Sequence, residues 1–149
     1  MRTYRRILVP VDGSPTSNKA LVAALNIARD GDGQLRIVHV VDEVAHLTGF
    51  EASSMILAAA MQAAERVLAD AAEIAKASGV TADVKLLDQP GERLGVLVAK
   101  EAQQWEADLV VVGTHGRRGF ERMLVGSGAE QIIRLAPVPV LVIRGDAND

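Results

Sequence analysis

Apolar residues along this chain follow two rhythms that alternate from one end to the other. Short strand-like runs rich in Val, Leu and Ile fall at 6–11, 35–41, 80–87, 109–112 and 139–144. Between them, apolar positions recur every three or four residues: Leu21, Ala24, Leu25 and Ala28 first, then Leu57, Met61, Ala64, Leu68, Ala71 and Ala75. The first rhythm predicts strands and the second predicts amphipathic helices. Punctuation agrees with both. Asp12-Gly13-Ser14-Pro15 stops the first run, and Ser14 followed by Pro15 is an N-cap with proline in the first turn. Asp30-Gly31-Asp32-Gly33 ends that helix, Gly79 closes the second, and Gln89-Pro90-Gly91 makes a turn before a third helix over 94–106. A last helix runs to Leu135, and Ser127 with Glu130 has the spacing of a capping box at its start.

Strands joined by helices, with central strands that read as nearly continuous apolar runs, predict a parallel sheet covered on both faces. The expected fold is therefore α/β: a doubly wound, five-stranded parallel sheet, Rossmann-like or flavodoxin-like, of strand order 3-2-1-4-5. One domain over residues 1–149 is expected, with 145–149 as a loose tail. In such sheets ligands collect at the carboxyl ends of the strands. The loops after strands one, two and four are polar or glycine-rich and should face one crevice.

Composition narrows the chemistry. Of 149 residues, 49% are hydrophobic but only 3% aromatic, so the core must be aliphatic. A formal net charge of −3 argues against a general nucleic-acid or anionic-membrane binder. The chain has no cysteine, which excludes disulfides, thiolate nucleophiles and cysteine-bearing zinc sites. Its histidines, His39, His46 and His115, lack metal-motif spacing. Arg2, Arg5 and Arg6 precede an apolar run too short for a signal-peptide core, and the longest apolar run, 55–61, is far short of a membrane span. The expectation is a soluble cytoplasmic protein with no nucleic-acid or membrane partner.

The most specific segment lies between the fourth strand and the last helix: Gly113-Thr114-His115-Gly116, nine further residues, then Gly126-Ser127. Glycines let a backbone approach a ligand closely, and a helix start offers N–H groups to an anion. It is neither a Walker loop, since no Gly-Lys-Ser or Gly-Lys-Thr occurs, nor a dinucleotide G-x-G-x-x-G. Plainer readings stand beside this one. Gly113, Gly116 and Gly119 can be turn glycines, Asp12 can simply cap the first helix, and Arg117, Arg118, Glu121 and Arg122 can be a solvated charged turn. His39 reads as a strand residue with a satisfied ring, and the Met and Ala stripe of the second helix as packing.

Taken together, Gly113-x-x-Gly116-x9-Gly126-Ser127, Ile7-Leu8-Val9-Pro10-Val11-Asp12-Gly13-Ser14, His39-Val40-Val41-Asp42 and Ala136-Pro137-Val138-Pro139-Val140-Leu141-Val142-Ile143-Arg144 resemble the small, single-domain universal stress proteins, specifically their ATP-binding subgroup. The resemblance implies a site for ATP, with Mg2+ carried by the nucleotide. Pro10, Val11 and Asp12 match the segment at the adenine and ribose side, and Asp12 can also help organise the metal. Val40 matches the residue whose backbone pairs with the adenine edge. Gly113 and Gly116 match the glycines beside ribose and phosphates, with Thr114 and His115 in the same loop. Gly126 and Ser127 match the phosphate cradle, and Arg117 sits where a basic residue can reach the phosphates. Gly128 departs from the family, where an apolar residue, commonly valine, follows Gly-Ser. Glycine there costs about 1 kcal/mol of helix propensity relative to alanine, and either loosens the cradle or lets a phosphate lie closer.

No catalytic residue is assigned. Phosphoryl transfer needs a positioned base and metal-holding carboxylates, for which only Asp12, Asp42 and Glu43 are near. The leading expectation is an ATP-binding stress-response regulator. The alternatives are a slow ATPase or nucleotidyl-transfer enzyme on the same site, and a nucleotide-independent dimeric signalling protein. The last strand, from Val138 to Ile143, is an apolar edge, and edges of that kind are usually covered or paired. In the family it pairs across a two-fold axis, so a homodimer is expected; the downstream partner is not legible.

Overall fold

Residues 3–41, 51–89, 91–114 and 127–145 are described by the computed structural model, with the backbone alone for 51–53 and 127. The elements over these residues are β1 (Arg6–Pro10), α1 (Pro15–Gly31), β2 (Gln34–Val40), α2 (Glu51–Ser78), β3 (Ala82–Leu87), α3 (Leu94–Gln104), β4 (Leu109–Gly113), α4 (Ser127–Leu135) and β5 (Val140–Ile143). All strand pairs are parallel, in the order β3-β2-β1-β4-β5. This is the doubly wound α/β fold expected, with β1 held between β2 (Leu8 opposite Arg36) and β4 (Leu8 opposite Val110).

Each central strand feeds two cores. Ile7, Val9 and Val11 of the β1 segment join Leu35, Ile37, Leu109 and Val111 beneath α1 and α2. Leu8, Val38, Val110 and Val112 point the other way, beneath α3 and α4. With both faces dry, alternation between polar and apolar disappears and the strands read as continuous apolar runs. On α2 the expected stripe is buried at Ala64, Leu68, Ala71 and Ala75, whereas Leu57 and Met61 are only half-buried. No helix among the described residues is long and apolar enough to cross a membrane.

Boundaries shift where side chains close the ends. Ser14 caps α1 as expected, its Oγ accepting the Ser17 N–H at 3.1 Å, with Pro15 first in the helix. At the other end Asp32, rather than a glycine, takes the left-handed conformation (φ 54°) as C-cap, its N–H donating to the Ala28 carbonyl, while Gly31 and Gly33 leave room for Thr3 and Tyr4. α3 stops at Gln104, short of 106. Glu106 is left-handed (φ 59°) and the Ala107 N–H returns to the Ala102 carbonyl at 2.9 Å, turning the chain into β4. β3 begins at Ala82 rather than 80, and β5 spans only Val140–Ile143. Gly145, expected in the loose tail, donates its N–H to Thr114 Oγ1 at 3.4 Å.

Against the β2–β3 side of the sheet, Glu101 of α3 is buried at 3% exposure. Its carboxylate accepts from Arg36 and from Lys85, both at 2.9 Å, while Arg36 also forks onto Asp83. The Arg36 and Arg6 guanidinium groups lie 5.0 and 4.3 Å from the centre of a Trp105 ring. Arg36 titrates above its ordinary value, first because of its hydrogen bond to Asp83.

Candidate functional site

The carboxyl ends of β1, β2 and β4 meet where the strand order turns, which is where an open α/β sheet leaves room for a ligand. After Pro10 the chain leaves the sheet through a tightly bonded turn. Val11 N–H still donates to Val38 O at 2.8 Å. Asp12 N–H donates to Ser17 Oγ at 3.0 Å, Asp12 Oδ1 accepts the Ser14 N–H at 2.9 Å, and Gly13 is left-handed (φ 83°). Asp12 therefore does serve the helix start, the plainer of its two readings, and it remains half-exposed at the rim. On the α1 and α2 side, Val11 and Gly13 border a hollow of about 280 Å³ with Asn18, Arg66 and Asp70 among its polar lining.

Val40 occupies the next strand. Val41 N–H donates to the Leu87 carbonyl at 3.1 Å, so its backbone faces β3. Backbone groups alternate along a parallel strand, so the N–H and C=O of Val40 face the β1 side. There the register ends at Pro10 opposite Val38. Among the described residues no hydrogen bond takes up either group of Val40. A donor and an acceptor on one residue thus face the gap left where β1 departs. The Val11 carbonyl, which would continue the ladder to Val40, is bonded instead to His39 Nδ1 at 2.6 Å.

The start of the glycine loop lies opposite. Gly113 ends β4, paired with Ile143. A Cβ there would stand 2.8 Å from Thr16 Cγ2 and 3.0 Å from Thr16 O. The glycine is required by the close approach of β4 to the first turn of α1, a reason internal to the fold. Thr114 is 2% exposed; its N–H donates to Ile143 O at 3.0 Å and its hydroxyl accepts the Gly145 N–H, which ties the loop to the end of β5. His115, Gly116, Arg117 and Gly126 lie outside the described residues, as do Asp42 and Glu43.

The far side is α4, which begins at Ser127 as expected. Glu130, expected to reach back to the helix start, has Oε1 turned forward to Arg134 at 3.3 Å. Gly128 packs on α3: a Cβ there would lie 3.2 Å from Leu94 Cδ2. One residue on, Gly95 allows the tightest helix contact, since a Cβ there would collide with Cβ of Gln131 and lie 3.0 Å from its backbone carbon. Gln131 Oε1 accepts the Gly95 N–H at 3.0 Å and so caps α3, whose N-cap residue Arg93 provides no side-chain bond. Gly95 and Gln131 hold α4 against the start of α3 and were not singled out from the sequence. The available signal was a glycine inside an otherwise apolar helical stripe, which marks a close approach. Among the described residues no three of His, Asp and Glu come together to hold a metal ion.

The comparisons with known proteins agree along the whole length. The model of the universal stress protein family matches residues 3–144. A universal stress protein relative from Staphylococcus aureus (strain USA300) is 35% identical over 144 residues, covering 97% of this chain and 86% of its own length. The solved structure of universal stress protein UspA from Lactobacillus plantarum is 26% identical with a TM-score of 0.82, over 97% of this chain and 100% of that one. At lower identity, 24%, 16% and 23%, the fold is shared with a universal stress protein in complex with cAMP (TM-score 0.65), one from Arabidopsis thaliana with AMP bound (0.68) and one from Archaeoglobus fulgidus in complex with dAMP (0.68). These cover 95%, 97% and 95% of this chain and 98%, 94% and 99% of theirs. By family match and by identity alike, this chain belongs to the universal stress protein family.

Proposed function

We propose that this protein binds an adenine nucleotide at the carboxyl end of its sheet and acts as a stress-response regulator whose conformation or partners follow the bound nucleotide. The observation that carries the reading is Val40: its N–H and C=O face the gap beside β1. An adenine edge offers the complementary acceptor and donor side by side. The relatives solved with cAMP, AMP and dAMP all hold adenine nucleotides, which supports the same ligand class.

In its finer form the ligand is ATP with Mg2+. Pro10, Val11 and Asp12 would flank the adenine and ribose, and Gly113 and Thr114, with His115, Gly116 and Arg117 of the following loop, would pass beside ribose and phosphates. Gly126, Ser127 and Gly128 would present the first N–H groups of α4 to the phosphates, where the helix dipole favours an anion. Mg2+ would neutralise phosphate charge, held by the nucleotide with help from Asp12. The residues present fit this group at the adenine side, where a backbone donor and acceptor have no hydrogen-bond partner among the described residues, and the first N–H groups of α4 suit the phosphates. The same proposal includes a homodimer formed by pairing β5, an edge of the sheet with Leu141 exposed.

The test is titration calorimetry of the purified protein with ATP and Mg2+, with identification of any nucleotide released by heat denaturation. Saturable binding with a rise in thermal midpoint is expected, because a ligand bound only to the folded state stabilises it. No heat, no shift and no released nucleotide would sink the reading. A flat time course of product with ATP bound would separate the regulator from a slow ATPase.

A further inference from the structure

His39 takes no part in the nucleotide reading above, yet its ring lies where β1 and β2 part. In a parallel pair, a residue on one strand bonds to residues on either side of its partner. Val11 N–H to Val38 O is the last such bond here, and the next rung would run from Val40 N–H to the Val11 carbonyl. That carbonyl is held by His39 Nδ1 at 2.6 Å instead. A carbonyl only accepts, so Nδ1 carries the proton. Side chains stand off a sheet while rungs lie within it, so a carbonyl that meets a side-chain donor is turned out of the rung direction.

We infer that His39 is a positioning residue: by clasping the Val11 carbonyl it ends the β1–β2 ladder one rung early and keeps the Val40 N–H available to a ligand. The clasp acts on the backbone that would read the base, without touching the base itself. It also sets where Asp12 begins its turn, since Val11 is anchored on both sides, by its N–H to Val38 and by its carbonyl to His39. The inference rests on the nucleotide reading for its functional meaning, but the clasp itself is testable without nucleotide.

The experiment compares the unaltered protein, His39→Leu and His39→Gln by amide hydrogen exchange in the absence of nucleotide, and by AMP titration. Leucine removes the donor at similar bulk, and glutamine restores an N–H of comparable reach. In the unaltered protein the Val40 amide should exchange freely. In His39→Leu the Val11 carbonyl is released to Val40, so Val40 exchange should slow while neighbouring amides quicken from lost stability. AMP affinity should fall roughly fivefold, the size of one hydrogen bond, and His39→Gln should recover most of both effects. General destabilisation moves Val40 the opposite way, towards faster exchange, so that outcome overturns the inference. A Val40 amide already protected in the unaltered protein also overturns it. If His39→Leu fails to fold, His39→Gln against the unaltered protein decides: matching Val40 exchange and AMP affinity support the clasp, and divergence in both rejects it. Slowed Val40 exchange in His39→Leu, with no AMP bound by the unaltered protein, would keep the clasp and reject the nucleotide reading.

Discussion

Gly113 lies in the segment of the chain that most resembles an anion loop, and the structure gives it a second duty. Its missing side chain makes room for Thr16, whose methyl and carbonyl would stand 2.8 and 3.0 Å from a Cβ. Gly113→Ala should therefore destabilise the fold by about 1–3 kcal/mol, the usual cost of overpacking, as read by urea denaturation without ligand. Thr16→Ser in the same chain should recover part of it by removing the methyl. Weaker nucleotide binding by Gly113→Ala is then interpretable only beside that stability measurement. Asp12 is likewise a residue with two assignments: it holds the Ser14 N–H and stands half-exposed at the rim. The residue types at both positions were legible, but their internal partners were not. Thr16 is distant from Gly113 in sequence, and no local pattern reports the contact.

At the scale of elements, Gln131 in the second turn of α4 joins it to Gly95 in the first turn of α3. Gln131→Met keeps the length and loses the acceptor, leaving the Gly95 N–H without its cap. A stability loss of about 1 kcal/mol is expected, with the affinity for ATP reduced more than that for adenosine relative to the unaltered protein, measured by calorimetry with both ligands. A second joint ties α3 to β2 and β3 through Glu101, Arg36, Lys85 and Asp83. Arg36→Met should cost about 2 kcal/mol, as for hydrogen bonds to charged groups. Because Arg36 titrates above its ordinary value, its contribution is full below that value and fades only above it. The loss should stay constant from about pH 6 to about pH 10, far below where arginine deprotonates. A loss that vanished at the alkaline end would contradict this assignment. The sequence signalled the network only as a charged residue in an apolar stripe, Leu94, Leu97, Val98, Glu101, Ala102.

For the whole molecule, the sheet order leaves β3 and β5 as its edges. The homodimer proposal concerns β5, where Leu141 is 37% exposed beside the half-buried Val140 and Val142. Leu141→Lys places a charge on that edge, which is how sheet edges are kept from pairing. Light scattering should then report a monomer for the variant and a dimer for the unaltered protein. A monomer for both would remove the dimer from the proposal.

Element types and strand direction were set by the sequence alone, because they depend on short-range signals: apolar period, caps and turn residues. Runs such as Leu109-Val110-Val111-Val112 can be stable only with both faces covered, so the parallel, helix-flanked sheet follows from the pattern itself. The glycine spacing and the family resemblance likewise need no coordinates. Tertiary structure decided which backbone groups are spoken for. That Val40 faces a gap, that His39 holds the Val11 carbonyl, and that Gly113 and Gly95 are filled by Thr16 and Gln131 all depend on strand register and helix packing. Register and packing bring together residues far apart in the chain, and hydrogen bonds form or fail over tenths of an ångström that no one-dimensional pattern encodes.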